Sequence, residues 1–228
     1  MTITLNHPAR LALAGLVVAL AGCGPSAPAA SDSDSAPAPA AEAPAPAQAP
    51  ADRFYAALRT LCGKAFAGRV AVDTPATPGP NPFADKPLVM HVRGCGDDEL
   101  RIPFHVGDDR SRTWVITRID GGSAGARLRL KHDHRHEDGS DDASTMYGGD
   151  SVDAGTAERQ EFPVDQYSID LFAGAGNTAS QTNPWAMELR PGQEFVYELA
   201  RPGGRLFRVE FDLTQPVAPP PAPWGDQD

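Results

Sequence analysis

The stretch W-A-M-E-L-R-P-G-Q-E-F-V-Y-E-L-A-R-P-G-G-R-L-F-R-V-E-F-D-L, residues 185–213, decides the fold of this chain. Apolar and polar residues alternate in three runs, 185–189, 195–199 and 207–213, which the turns Pro191-Gly192 and Pro202-Gly203-Gly204 separate. A period of two places alternate side chains on opposite faces of a strand. The stretch therefore predicts an antiparallel meander with one buried and one solvated face.

Shorter runs with the same alternation extend upstream of this meander. They cover residues 66–73, 88–93, 99–106, 112–119, 127–136 and 144–148, and turns rich in Gly and Asp separate them. Two further segments, 52–61 and 163–172, have the residue spacing of short helices. About eight to ten evenly spaced strands predict a mainly β fold, an antiparallel lipocalin-like (calycin-like) barrel with one or two short helices. A β-sandwich is the alternative.

Composition excludes one broad class of partner. The 228 residues carry a formal net charge of −10, and the sequence contains no cluster of Lys and Arg residues. Proteins that bind nucleic acids present a basic patch or stripe to the phosphates. We therefore expect no nucleic-acid partner.

The beginning of the chain has the organisation of an export signal. Arg10 precedes an apolar run at residues 11–20, which is shorter than the roughly 20 apolar residues that a membrane-spanning helix needs. Leu20-Ala21-Gly22-Cys23 follows this run. These four residues closely resemble the lipobox of bacterial lipoproteins.

The resemblance implies that a signal peptide, residues 1–22, is removed and that Cys23 receives a diacylglycerol and a further acyl chain. Each buried methylene contributes about 0.8 kcal/mol, so several acyl chains hold a protein on a membrane. Gly24, rather than an aspartate, follows the cysteine. By resemblance to enterobacterial sorting, this implies the outer membrane. We therefore expect a lipid-anchored protein of the cell envelope that faces the periplasm.

The segments on either side of the strands have a different composition. Residues 24–51 contain 12 Ala, 7 Pro and 4 Ser and no aromatic residue, so they cannot bury enough apolar surface to offset their ordering entropy. We predict a lipid attachment site and disordered Ala/Pro/Ser tether at 23–51, a single β-barrel domain at 52–214 and a Pro-rich tail at 215–228. Trp224 in the tail is expected to fold back on the domain, and a docking peptide is the alternative.

The cysteines agree with an exported protein. If Cys23 carries lipid, Cys62 and Cys95 are the two thiols that remain in an oxidising compartment. Their spacing differs from the C-x-x-C motif of redox proteins. We therefore predict a structural disulfide between Cys62 and Cys95, with a redox pair as the alternative.

The segment L-R-L-K-H-D-H-R-H, residues 128–136, carries the richest chemistry. On an unbroken strand, His132, His134 and His136 share a face with the leucines, so we expect them to project toward the barrel interior or its open end. By the same parity Asp133 lies on the opposite, solvated face. His105, which alternates away from the apolar residues of its own strand, is also expected to face water.

Three interpretations of these histidines remain open. Two imidazoles two residues apart on a strand can converge on Zn²⁺ or Cu²⁺, with His136 or a residue of a facing strand as the third ligand. The rings can instead contribute hydrogen bonds to a polar pocket. They can also form a solvated, ion-paired rim near the turn at Asp138-Gly139.

Two other segments carry a resemblance. Residues 128–142, followed by Thr145-Met146-Tyr147-Gly148-Gly149, and R-T-W-V-I-T-R at 112–118 resemble a group of uncharacterised bacterial secreted proteins and lipoproteins. The likeness covers most of residues 54–214. It implies an exported domain and no particular activity, and the likeness to calycin barrels is one of architecture only.

Three functions follow from these patterns, in order of preference. The first is a tethered binding module for a small molecule or a metal, which a hollow barrel would favour. The second is a structural or interaction lipoprotein of the envelope, with an unidentified protein partner, which a filled barrel would favour. The third is a metal-dependent hydrolase, for which no carboxylate can be assigned as general base. The sequence favours a protein that is not an enzyme.

The lipobox gives a direct prediction. Cys23→Ser removes the sulfur that accepts the diacylglycerol, so the variant should incorporate no labelled palmitate and should leave the membrane pellet. Ser26→Ala serves as the control, because it changes a residue outside the lipobox and should leave labelling intact. Continued labelling of the Cys23→Ser protein would contradict the lipobox assignment.

Overall fold

Ten strands follow one another around a nearly closed antiparallel barrel in the computed structural model, which describes residues 48–76, 81–122 and 125–226. The strands are β1 (Ala65–Thr74), β2 (Leu88–His91), β3 (Gly94–Cys95), β4 (Glu99–Val106), β5 (Asp109–Ile119), β6 (Arg127–His134), β7 (Tyr147–Asp150), β8 (Arg159–Pro163), β9 (Pro184–Arg190), β10 (Glu194–Arg201) and β11 (Arg205–Val217). Their order is β7-β6-β5-β4-β2-β1-β11-β10-β9-β8, and the short β3 pairs with β4. The predicted mainly β, lipocalin-like barrel is therefore confirmed. The sandwich alternative is wrong, because one sheet curves around the core.

The helices are few, as predicted. They are α1 (Pro50–Arg59), α2 (Gln166–Gly174) and a short 3-10 helix (Thr178–Thr182). Within the described part of the chain, no helix is long and apolar enough to cross a membrane. The predicted signal peptide (1–22), the predicted lipid attachment site Cys23 and the predicted tether as far as residue 47 lie outside the described residues.

The strands β9, β10 and β11 pair in the register that the alternation predicts. Phe195 lies opposite Leu189 on one side and Phe211 on the other. Tyr197 similarly lies between Met187 and Val209. All six of these side chains are buried in the core. One face of the meander thus supplies a continuous wall of the barrel interior.

The outer face of the same strands carries a lattice of ion pairs. Arg208 donates to Glu188 at 2.8 Å and to Glu198 at 2.7 Å, and Arg159 donates to Glu198 at 2.8 Å. Hydrogen bonds from Arg208 are the main cause that lowers the pKa of Glu188. The lattice ties β8 through β11 together on the side that faces away from the core.

Helix α1 covers one end of the barrel. Its side chains Phe54 and Leu58 are fully buried, and the Tyr55 hydroxyl donates to the Gly96 carbonyl in the β3–β4 turn at 3.1 Å. Asp52 accepts from Arg118 near the end of β5. The helix begins two residues before the predicted domain boundary at 52, because Pro50 occupies its first turn, where a missing N–H is tolerated.

The Cys62–Cys95 disulfide is present, with 6.2 Å between the two Cα atoms. It joins the chain just after α1 to β3, so it fastens the covered end of the barrel. Closing a loop of this length contributes about 3–4 kcal/mol on the chain-entropy model. The predicted bridge is confirmed.

The C-terminal segment packs against the barrel. Strand β11 continues to Val217, past the predicted end of the domain at 214. Beyond it, Arg110 Nη1 donates to the Ala222 carbonyl at 2.9 Å, and the backbone N–H of Trp224 donates to the Arg110 carbonyl at 3.1 Å. Ala222 and Pro223 are buried. Trp224 does fold back, and residues 215–226 belong to the domain rather than to a separate tail.

Two side chains expected in water are buried. Asp133 is 3% exposed, because Arg101 and Arg135 both donate to its carboxylate, the latter at 2.8 Å. Burial acts to raise the pKa of Asp133, and the hydrogen bonds from Arg135 and Arg101 outweigh it and lower that pKa. His105 is also 3% exposed. Both predictions of solvent exposure are wrong, since strand parity gives the face of a side chain and not what covers it.

The gap between β7 and β8 is closed by the start of α2. The Asp165 N–H donates to the Gly148 carbonyl at 2.9 Å, and the Gly148 N–H donates to the Ser168 hydroxyl at 2.7 Å. Asp165 also caps α2, accepting from the Ser168 N–H at 2.9 Å. We call this set of contacts the seam. The backbones approach each other closely at the seam, since a Cβ added at Gly149 would lie 1.7 Å from the Pro163 carbonyl oxygen.

The seam predicts a specific cost for a single methyl group. Gly149→Ala must push the Pro163 carbonyl away, so it should lower the free energy of unfolding by about 1–3 kcal/mol, as overpacking does. Gly174→Ala is the matched control, because no atom lies within 4 Å of its added Cβ. Urea unfolding of both variants measures the difference. Equal stabilities would show that the seam tolerates the added methyl group.

Candidate functional site

A cavity of about 380 Å³ lies inside the barrel toward the end opposite α1. Strands β5 and β6 form part of its wall, and α2, the 3-10 helix, the β1–β2 connection and strands β10 and β11 contribute further lining residues. Eight aromatic side chains line it: Phe83, Phe104, Trp114, Tyr147, Phe172, Trp185, Tyr197 and Phe207. Its volume falls within the range of small-molecule sites, roughly 300–1,000 Å³, and such sites are mostly apolar.

His132 lies at the centre of the aromatic lining. Its Nδ1 is 3.1 Å from the Tyr147 carbonyl oxygen, and its Nε2 is 2.8 Å from the Tyr197 hydroxyl. A carbonyl oxygen only accepts, so Nδ1 carries the proton and Nε2 accepts from the tyrosine. Both nitrogens of this buried ring are therefore satisfied by protein groups.

Burial keeps the polar groups of this cluster uncharged. It lowers the pKa of His132 to about 3, and the neighbouring His134 adds to the effect. Burial raises the pKa of Tyr147 to about 12 and raises that of Tyr197 as well. Since His132 titrates far below neutral pH and the tyrosines far above, the cavity wall they form is neutral under physiological conditions.

The aromatic rings pack in two groups, and the hydrogen bond from the Tyr197 hydroxyl to His132 Nε2 connects them. In the first, Trp114 stacks between Phe104 and Tyr197, with ring centroids 4.9 and 4.7 Å away. In the second, Tyr147 stacks on His132 at 4.4 Å and lies 5.6 Å from Trp185. Packing on several sides fixes the orientation of each ring.

The backbone before β7 positions Tyr147. Met146 has a φ of 62°, in the left-handed region that non-glycine residues seldom adopt. Its N–H donates to the His132 carbonyl at 2.6 Å, which anchors this turn to β6. The turn therefore places the Tyr147 ring in stacking contact with the His132 ring.

Further polar residues of the lining come from outside the strands β5 and β6. Ser180 and Asn183 come from the 3-10 helix and its end, and the Asn183 Oδ1 accepts from Arg201 Nε at 2.8 Å. Two arginines also line the cavity, and each has a carboxylate partner. Arg112 donates to Asp109 at 2.6 Å, and Arg205 pairs with Asp73.

The three histidines considered as metal ligands are not brought together. His132 lies inside as predicted, and His134 lines the cavity, with its Nε2 3.3 Å from the Tyr147 hydroxyl. The His136 side chain is 57% exposed and lies 3.8 Å from Asp142. The prediction that His136 projects inward is wrong, because β6 ends at His134 and the alternation ends with it.

Metal binding finds no geometric support. A ligand nitrogen must present a free lone pair, and that of His132 Nε2 is occupied by Tyr197. Within residues 48–76, 81–122 and 125–226, no group of three His, Cys, Asp or Glu residues could hold a metal ion. The geometry instead corresponds to the second interpretation, a pocket to which histidines contribute hydrogen bonds.

Sequence reasoning missed several lining residues. It placed Trp185 and Tyr197 on the inner face, but it assigned no role to the tyrosine hydroxyl. A buried tyrosine hydroxyl usually has a hydrogen-bond partner, so the inward position of Tyr197 could have predicted a polar contact in the interior. Ser180 and Asn183 carried no signal, because the 3-10 helix has no periodic pattern.

Comparison with known proteins gives no relative from which a role could be transferred. No family model matches the chain, and neither a curated protein nor a solved structure is significantly similar to it. The functional conclusions therefore rest on the residues of the chain itself.

The buried histidine predicts a loss of stability in mild acid. In the unfolded chain the ring of His132 takes up a proton below its ordinary pKa of 6.5, whereas in the folded protein it stays neutral down to a pKa of about 3. The unfolded state then binds more protons, so the free energy of unfolding falls with pH by up to about 1.4 kcal/mol per unit per buried histidine. Urea unfolding between pH 6.5 and 4.5 measures the slope.

Two variants test the assignment to His132. His132→Gln keeps hydrogen-bonding groups and removes the titration, so the slope should decrease. His136→Gln removes an exposed histidine and should leave the slope unchanged. If both variants retained the full slope, His132 would not be the buried neutral group.

Proposed function

We propose that this protein is an envelope-anchored binding module whose barrel holds a small, largely apolar molecule. The observation that carries the proposal is the aromatic-lined cavity of about 380 Å³ inside the barrel. Apolar contact with the rings supplies affinity, and a few fixed polar groups orient the ligand. The neutral His132–Tyr197 pair allows the wall to be polar without carrying charge.

The location in the envelope rests on the sequence. The lipobox at Leu20-Ala21-Gly22-Cys23 supports lipid attachment at Cys23, and the Ala/Pro/Ser tether allows the barrel to stand away from the membrane. The Cys62–Cys95 disulfide agrees with an oxidising compartment such as the periplasm. Within this proposal the membrane is a partner through the lipid, and the outer membrane is the expected site.

The other two functions receive less support. A structural lipoprotein needs no hollow interior, and the tail proposed as a docking peptide is already packed on the barrel through Arg110. A metal-dependent hydrolase needs a ligand set and a base. None of the described residues that line the cavity is an Asp or a Glu, so this site offers no carboxylate to activate water.

A neutral fluorescent probe, phenylnaphthylamine, tests the proposal on the chain that begins at residue 48. Its emission should rise on entering the cavity. Ser180→Phe places a large ring in the lining and should weaken probe binding at least about tenfold, which corresponds to about 1.4 kcal/mol. Ser140→Phe adds the same ring in an exposed turn and should not change binding.

Near-ultraviolet circular dichroism establishes that both variants retain their packed aromatic core. Unchanged probe affinity in a folded Ser180→Phe protein would place binding outside the cavity and would contradict the proposal. Stoichiometric binding of added Zn²⁺ that the His134→Ala substitution abolished would instead favour a metal-binding module.

A further inference from the structure

Several hydrogen-bond donors in the cavity lining remain unused. The Trp114 and Trp185 indole N–H groups donate to no residue in the described part of the chain, although both rings are 2% exposed and line the cavity. The Asn183 Oδ1 is occupied by Arg201, which leaves the amide N–H₂ of Asn183. A ligand that entered the cavity would remove these donors from water, so it would need acceptors of its own, because an unpaired buried donor costs free energy.

The aromatic surfaces of the cavity are electron-rich. The indole of Trp185 and the phenols of Tyr147 and Tyr197 line the cavity and have π faces that carry negative charge density, whereas the Trp114 indole is stacked between Phe104 and Tyr197. A planar ring depleted of electrons has the opposite charge on its face, so it stacks on such surfaces more favourably than a plain hydrocarbon does. The walls therefore favour a flat, electron-poor ring.

The charged residues of the cavity lining select against an ionic ligand. A cation would stack on the aromatic faces, but none of the described lining residues is a carboxylate that could pair with it. An anion would have to compete with Asp109 and Asp73, which already pair with these arginines. Burying either ion would also cost desolvation free energy.

We propose that the cavity binds a neutral, planar ring system that bears carbonyl oxygens, a ligand of the quinone class. The carbonyl oxygens accept from the indole N–H groups of Trp114 and Trp185 and from the Asn183 amide, and the ring stacks on the electron-rich walls. This inference rests on the proposed function, since it names the ligand of the same cavity.

Four probes built on one ring system test the ligand class by displacement of phenylnaphthylamine. Dimethylnaphthoquinone carries neutral acceptors, and dimethylnaphthalene has the same ring and methyl groups without them. Naphthoate adds a negative charge, and naphthylmethylammonium adds a positive one. The quinone should displace the fluorescent probe at a concentration at least tenfold below that of the other three compounds.

Variants at the tryptophans test the proposed contacts. Trp185→Phe and Trp114→Phe each keep an aromatic ring and remove one N–H donor. At least one of the two variants should therefore bind the quinone fivefold or more weakly, while its affinity for dimethylnaphthalene changes by less than twofold. Trp224→Phe is the control, because this third tryptophan lies outside the cavity lining. It should change neither affinity.

The outcomes separate the two proposals. If phenylnaphthylamine binds in the cavity but the quinone is no better than the hydrocarbon, the quinone class is overturned and the binding module stands. Tightest binding by naphthoate or by the ammonium probe also overturns the quinone class. A quinone preference that survives both tryptophan variants overturns the assigned donors. If phenylnaphthylamine itself does not bind, the proposed function fails.

Discussion

The hydrogen bond from the Tyr197 hydroxyl to His132 Nε2 joins β10 to β6, two strands that are not neighbours in the sheet. It works only because the Tyr147 carbonyl accepts from the other nitrogen of the same ring and so fixes the proton on Nδ1. A buried imidazole with one unpaired nitrogen would cost about 1–3 kcal/mol. Because both ring nitrogens of His132 have partners, this polar ring is tolerated in the core, and the two groups of aromatic rings keep a defined spacing.

Closure of the barrel depends on a second polar arrangement. The seam uses α2 in place of a strand, with the Asp165 N–H and the Ser168 hydroxyl supplying the hydrogen bonds that an adjacent strand would give to Gly148. The same residues start the helix, since Asp165 caps it. One short segment therefore closes the sheet and also brings Phe172 and the 3-10 helix to the cavity. This arrangement links the stability of the seam to the shape of the binding site.

The electrostatics of the two faces differ in kind. The outer face holds ions in pairs, such as Arg208 with Glu198 and Asp133 with Arg101 and Arg135. The cavity holds polar groups that burial keeps neutral, with the pKa values of His132 and Tyr147 shifted in opposite directions. The charged side chains among the described lining residues are those of Arg112 and Arg205, and each is paired with a carboxylate. A ligand in the interior meets aromatic faces and neutral donors, which is the basis of the proposed specificity.

The barrel, the pairing of β9, β10 and β11, the Cys62–Cys95 bridge and the inward orientation of His132 could be predicted from the sequence, although a sandwich, a redox pair and a solvated rim of histidines remained as alternatives. Each follows from alternation along one strand or from counting cysteines, and these are local properties of the chain. Only the tertiary structure decided that Asp133 and His105 are covered, that His136 leaves the inner face and that Ser180 joins the cavity. The physical reason is that burial and hydrogen bonding depend on residues far away in sequence: Tyr197 is 65 positions from His132, and Arg101 is 32 positions from Asp133. A strand pattern records the direction of a side chain, whereas its partner is fixed only when the sheet closes.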